Sequence, residues 1–176
     1  MSWKSLPGNF SEDQYEAVKG LIADFDRRLP QEETIRIAEV GRSLGRTTAA
    51  IAKICSELEG ERPIEFISCD NQFDHELAVV LRDNNWADYV RLFSFDPEEG
   101  AEDVGGVTFN LIIINGSTAA QVERLLWAWV PKSAIGGKVI GVWDDYSIIA
   151  VKKVTRGSYE RAGADGCLWL ISAFSK

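Results

Sequence analysis

The chain has 176 residues, 45% of them hydrophobic and 10% aromatic, with Lys+Arg 19 against Asp+Glu 27 for a net charge of -8. That size carries one core and one domain, and the apolar share excludes a disordered chain. The acidic balance repels phosphate backbones, so nucleic acid is not an expected partner.

Apolar runs such as Leu111–Ile114 are too short to span a bilayer, and the opening Met1-Ser2-Trp3-Lys4-Ser5 has no signal-peptide core. Cys55, Cys69 and Cys167 are odd in number and have no metal-type spacing. They read as buried thiols in a reducing cytoplasm. The expectation is a cytoplasmic protein of one domain, with an N-terminal helical segment over 1–30 and an α/β core over 34–176.

Ser11-Glu12-Asp13-Gln14 has the form of a capping box. Tyr15, Val18, Leu21, Ile22, Phe25 and Leu29 then recur at helical spacing until Pro30 stops the helix. Ile35–Val40 alternates like a strand and runs into Gly41-Arg42-Ser43-Leu44-Gly45. A helix with Ile51, Ile54, Cys55 and Leu58 on one face follows. Ile64–Cys69 is a second strand ending at Asp70-Asn71, and Phe73, Leu77, Val80 and Leu81 mark the next helix. Tyr89–Phe93 is a third strand. Phe109–Ile114 is a fourth, apolar enough to be a central parallel strand.

Thr118 to Gln121 reads as another capping box, opening a helix with Val122, Leu125, Leu126 and Trp129 inward. Trp127 and Trp129 are two apart, so one is core and the other is placed to pack a partner, which leaves a homo-oligomer open. Gly136-Gly137 turns the chain into a fifth strand, Lys138–Trp143. Ile148, Val151 and Val154 suit a short helix better than a hairpin strand. Cys167–Ile171 is a last strand, expected antiparallel and at the sheet edge because no long helix precedes it. Strands alternating with helices define an α/β fold with a mostly parallel sheet, helices on both faces and a final antiparallel strand.

The chemistry concentrates at Glu39-Val40-Gly41-Arg42-Ser43-Leu44-Gly45. In doubly wound sheets, ligands bind at the carboxyl ends of strands, where glycine permits close backbone approach and a helix N-terminus offers free N–H groups. Asp70 ends the next strand, 31 positions after Glu39. A carboxylate there is able to accept both hydroxyls of a ribose, and that reading outweighs a plain Asx turn. Glu39 reads equally as a ligand or as a cap for the following helix. Asp144-Asp145 reads equally as a solvated turn or as an acid or base toward substrate. His75, the one histidine, reads as a surface helix residue.

"IRIAEVGRSLGRTTAAIA" resembles the first motif of class I S-adenosylmethionine-dependent methyltransferases, in the small branch with Glu-x-Gly-x-x-x-Gly-Arg-Ser/Thr-Thr that includes O-methyltransferases. "FISCDNQFD" and "FNLIIINGSTAAQVERLLWAWVPKSAIGGKVIGVWDDYS" match later parts of the pattern, and the resemblance runs over residues 8–172. It implies a Rossmann-like methyltransferase fold and methyl transfer from S-adenosylmethionine to a small-molecule acceptor, an oxygen by the family's habit. It also implies that Glu39, Gly41 and Gly45, with Arg42 in the same loop, line the methionine and ribose. By the same resemblance Asp70 holds the ribose and Asn71 lies beside the adenine. Phe95 and Asp96 bracket the ring, and Asn115 joins the cofactor-binding residues at the position where some family members have the acid that ligates a divalent metal. Asp144 or Asp145 is the candidate for the acceptor-side acid or base.

The family's Ile-Asp-Gly-x-His is here Ile114-Asn115-Gly116-Ser117-Thr118, and its His-Asp is Trp143-Asp144. Two carboxylates, Asp144 and Asp145, are a thin ligand set, so no metal site is expected. These departures also motivate a second reading, a non-catalytic relative that senses the cofactor or supports assembly. A third reading, an NAD-type binder, is disfavoured by Ser43 and by the spacing to Asp70, since that fingerprint is Gly-x-Gly-x-x-Gly with an acid about 20 residues on.

Overall fold

The computed structural model describes residues 2–172 except 42–43, 59, 61, 73 and 164–165. Ser11 Oγ accepts from Gln14 N at 3.2 Å while Gln14 Oε1 accepts from Ser11 N at 2.8 Å, so the capping box closes on itself and opens α1 (Glu12–Arg28). Then come β1 (Ile35–Val40), α2 (Arg46–Glu57), β2 (Ile64–Asp70), α3 (His75–Asp83), β3 (Arg91–Ser94), the single turn α4 (Gly100–Asp103), β4 (Phe109–Ile114), α5 (Ala119–Trp129), β5 (Ser133–Val142), α6 (Asp145–Thr155), β6 (Glu160–Ala162) and β7 (Leu168–Ser172).

The seven strands form one sheet in the order β3-β2-β1-β4-β5-β7-β6. β3, β2, β1, β4 and β5 pair in parallel, whereas β7 is antiparallel to both β5 and β6. Each central strand sends alternate residues to opposite faces. Ile35 and Ile37 of β1 and Leu111 and Ile113 of β4 join the core under α1, α2 and α3. Ala38, Val40, Ile112 and Ile114 join the core under α5 and α6. Burial on both faces explains why these positions are all apolar.

Long-range polar contacts tie α1 into place. Arg62, 9% exposed, donates to the carbonyls of Asp26, Leu29, Pro30 and Glu33 and to Asp26 Oδ1, satisfying acceptors at and beyond the C-terminus of α1. Between α1 and α2, Glu57 receives Lys19 Nζ at 2.7 Å, Tyr15 Oη at 2.8 Å and Lys53. Burial alone would raise the Glu57 carboxyl, but these three donors outweigh it and hold its pKa at about 2.

Three expectations change. The strand over Cys167–Ile171 is antiparallel but not at the edge, because β6, unmarked by any periodic pattern in three residues, pairs outside it. The fifth strand starts at Ser133 rather than Lys138: Gly136 (φ 75°) and Gly137 lie inside it, where the register against β4 shifts between Phe109 and Leu111. The third strand starts at Arg91, because Ala87–Tyr89 is a 3₁₀ turn. The tail segment 148–154 is helical, as expected. Phe73 lies outside the described residues. Among those described, no helix is long and apolar enough to cross a membrane.

Candidate functional site

A cavity of about 790 Å³ opens at the carboxyl ends of β1, β2, β4 and β5. The two β–α junctions singled out from the sequence meet there. Val40 pairs with Cys69 in the sheet register, Gly41 N donates to Cys69 O at 2.9 Å, and Asn115 N donates to Val40 O at 2.9 Å. These bonds extend the sheet ladder one residue past β1 and β4, so the turns after β1, β2 and β4 stand side by side. Gly41, Asp70, Asn71, Asn115 and Asp144 all border the cavity.

Gly41 has φ 78°, and a Cβ on it would lie 2.0 Å from the carbonyl oxygen of Asn115. Its lack of a side chain lets the loops after β1 and β4 touch. Gly45 (φ 80°) is the N-cap of α2 and supplies no side-chain cap; a Cβ there would meet Leu77 and Asp74 of the next β–α unit. Arg46 and Thr47, in the first turn of α2, line the cavity, and the positive end of the helix dipole faces it.

Asp70 ends β2, is 9% exposed, and takes Gln72 N on Oδ1 at 2.9 Å. Asp144 caps α6: its Oδ1 accepts from Ser147 N at 2.7 Å and lies 2.6 Å from Ser147 Oγ. Asp145 is exposed in the first turn of α6 and does not border the cavity. Asn115 lines it, with Nδ2 donating to Glu39 Oε1 at 3.0 Å.

Glu39 does not reach the cavity surface. It is 0% exposed, behind the loops, with Thr48 Oγ1 and Ser68 Oγ on Oε2 at 2.5 and 2.8 Å. Phe95 and Asp96 follow β3 and also lie outside the cavity wall: the Phe95 ring packs over Gly100, and Asp96 Oδ1 accepts from Glu98 N at 2.8 Å. Arg42 lies outside the described residues. His75 is exposed at the start of α3. Trp143 packs on Tyr159, with the Arg161 guanidinium 4.2 Å from its ring centroid, and is absent from the wall. Trp129 is fully buried and Trp127 60% exposed, the division their spacing predicts. Among the described residues, no group of three or more His, Cys, Asp and Glu side chains is gathered as a metal set.

Sequence reasoning missed one whole wall. Pro7, Gly8, Asn9 and Phe10, which precede α1, line the cavity together with the strand ends. Arg46 fastens this segment, donating from Nη1 to Gly8 O at 2.7 Å and from Nη2 to Lys4 O at 2.5 Å, while Trp3 stacks on Tyr15 with ring centroids 5.4 Å apart. The density of Trp3, Leu6 and Phe10, all buried, was the available signal that residues before α1 are part of the core.

Neither a family model nor a curated protein sequence matches the chain. Solved structures do. A Corynebacterium glutamicum protein covers 98% of this chain and 85% of its own, with 14% identity and a TM-score of 0.70. An rRNA methylase from Streptococcus thermophilus covers 96% of this chain and all of its own, with 11% identity and a TM-score of 0.64. A proposed caffeoyl-CoA O-methyltransferase from Staphylococcus aureus covers 97% of this chain and 87% of its own, with 16% identity and a TM-score of 0.62. The chain therefore has the Rossmann-like fold of the class I methyltransferases, and at these identities the likeness extends to the fold alone.

Proposed function

We propose that this protein binds S-adenosylmethionine and transfers its methyl group to a small-molecule acceptor, an oxygen being the expected site. One observation carries the reading: Gly41 and Asp70, at the ends of adjacent parallel strands, border a single cavity. Its volume, about 790 Å³, lies within the range of sites that enclose a small ligand.

The residues present suit such a cofactor. Asp70 offers acceptor lone pairs at a strand end, where ribose hydroxyls would meet them. Gly41 leaves the wall flat, and Asn71 and Asn115 add polar contacts on either side. Among the described residues that line the cavity, Asp70 and Asp144 bring negative charge, and the cation Arg46 is turned to the backbone carbonyls of Gly8 and Lys4. That balance favours a cationic ligand. When bound, the sulfonium supplies an electrophilic methyl group, and the protein's part is to orient the acceptor and exclude water. Asp144 is the acceptor-side acid in this proposal, and Tyr146 and Asn9 also line the cavity.

The acceptor assignment draws on the neighbour named for caffeoyl-CoA, whereas the one named for rRNA marks the competitor. A net charge of -8 weighs against RNA, because each phosphate brought close is repelled. The reading that this is a cofactor-binding protein without turnover is favoured by one observation, the use of Asp144 Oδ1 as a helix cap. Calorimetry with S-adenosylmethionine and S-adenosylhomocysteine tests the cofactor, and a panel of hydroxylated acceptors tests turnover. Binding with methyl transfer is the expected result. Absence of binding at millimolar cofactor overturns the proposal, and binding without transfer to any acceptor turns it into the sensor reading.

A further inference from the structure

The Glu39 carboxylate is fully enclosed, and among the described residues the side chains that donate to it come from three places in the fold: Thr48 on α2, Ser68 on β2 and Asn115 just past β4. Thr48 Oγ1 and Ser68 Oγ both point at Oε2. Their own 3.2 Å separation is then a packing contact, since each hydroxyl has one hydrogen and spends it on the carboxylate. The other oxygen, Oε1, faces the Asn115 side-chain amide.

An ionised carboxylate only accepts hydrogen bonds. The two ends of an asparagine amide are nearly the same shape, so sterics alone do not decide which one faces Glu39; the hydrogen-bond network does. Turning the carbonyl inward would set two acceptors about 3 Å apart with nothing between them, in a site closed to water. The NH₂ end is therefore held inward. The Oδ1 end is left outward, on a residue that lines the cavity, neither enclosed nor bonded to any described residue.

We propose that Glu39 is a positioning residue: its buried carboxylate locks the Asn115 amide so that Oδ1 stands in the cavity as a neutral, fixed acceptor for a ligand N–H or O–H. A second carboxylate here would lie against the first, and such pairs share a proton rather than both ionise. Which ligand group Oδ1 receives rests on the cofactor reading above, and we assign it the ammonium of the amino-acid moiety.

The lock is tested without ligand, by urea unfolding of the wild type, Asn115→Asp, Glu39→Gln and the double variant between about pH 5 and pH 9. In Asn115→Asp the two carboxyls share one proton when folded, so that pKa lies above its unfolded value. Its stability, relative to wild type, is present at the acid end and is lost as pH rises through the folded value. Glu39→Gln added to Asn115→Asp leaves one carboxylate facing an amide, and the slope disappears. Asp70, Asp144 and Arg46, the other charged groups among the described residues that line the cavity, are common to all four proteins and cancel in the comparison, as does every charge outside positions 39 and 115. Should Asn115→Asp not fold at neutral pH, its recovery in the double variant reads the same coupling. A pH-independent Asn115→Asp, or a double variant with the slope unchanged, overturns the lock.

The ligand contact is tested by titrating Asn115→Ala with S-adenosylhomocysteine and with 5′-methylthioadenosine, which keeps the nucleoside and lacks the amino acid. The first weakens about tenfold or more and the second is unchanged, as loss of a hydrogen bond to a charged group requires. Equal weakening of both overturns the ammonium assignment, and no weakening of either overturns the ligand contact. Wild-type protein that ignores S-adenosylhomocysteine while the pH slope persists overturns the cofactor reading and leaves Glu39 in its positioning role.

Discussion

Gly41 lies so close to Asn115 that a single added carbon would overlap the Asn115 carbonyl oxygen, at 2.0 Å. The obstacle is backbone, not a side chain that can swing aside, and the φ of 78° adds its own cost for any L-residue. Gly41→Ala is expected to lose at least about 2 kcal/mol in urea unfolding, the sum of a left-handed backbone and forced loop separation. It also parts the loops after β1 and β4, so cofactor binding falls with it. A variant of wild-type stability would show that the two loops do not need this contact.

Asp70 is expected to act on binding and not on folding. Asp70→Asn keeps an oxygen for Gln72 N but removes the charge. Affinity for S-adenosylhomocysteine should fall about tenfold in calorimetry, while the melting temperature of the free protein stays level. Unchanged affinity would remove Asp70 from the ligand's contacts.

Asp144 has two separable uses. As the cap of α6, it loses about 1 kcal/mol when replaced by Ala, whereas Asn preserves the cap. As the acceptor-side acid, it fails equally in both variants. Asp144→Asn should therefore match wild type in unfolding and lose turnover; if it turns over normally, capping is the residue's whole role.

Glu57 sets a pH response away from the cavity. Its folded pKa of about 2 lies below the ordinary glutamate value of about 4.3. A depressed carboxylate stabilises the fold above the unfolded value, and that stabilisation fades as pH falls toward the folded one. Glu57→Gln should therefore be less stable than wild type at neutral pH, with the gap closing between about pH 4 and pH 2. The side chain is 33% exposed, so solvent screening keeps the gap small. A gap that widens in acid would contradict the arrangement of Lys19, Lys53 and Tyr15 around it.

What the sequence determined by itself was everything that depends on neighbours a few residues away. The Ser11–Gln14 box closes as its four-residue pattern requires. At Thr118 only half of the pattern survives: Thr118 Oγ1 accepts from Gln121 N, but Gln121 Oε1 turns to Ser117 instead. The alternation in Ile35–Val40 and the apolar run in Phe109–Ile114 announced two-faced central strands, because side-chain direction along a strand is a local matter. Gly41 and Asp70 stood out for the same reason, as residues ending strands.

Tertiary structure alone decided where those ends went. Glu39 read equally as a ligand or a cap, and it is walled in by partners 9, 29 and 76 positions away. The strand at Leu168–Ser172 is interior because three residues of β6 cover it, too few to leave a period in the sequence. Pro7–Phe10 became a cavity wall through one arginine 38 and 42 positions further on. Burial and pairing between distant segments are set by packing the whole chain around one sheet, and no local pattern encodes them.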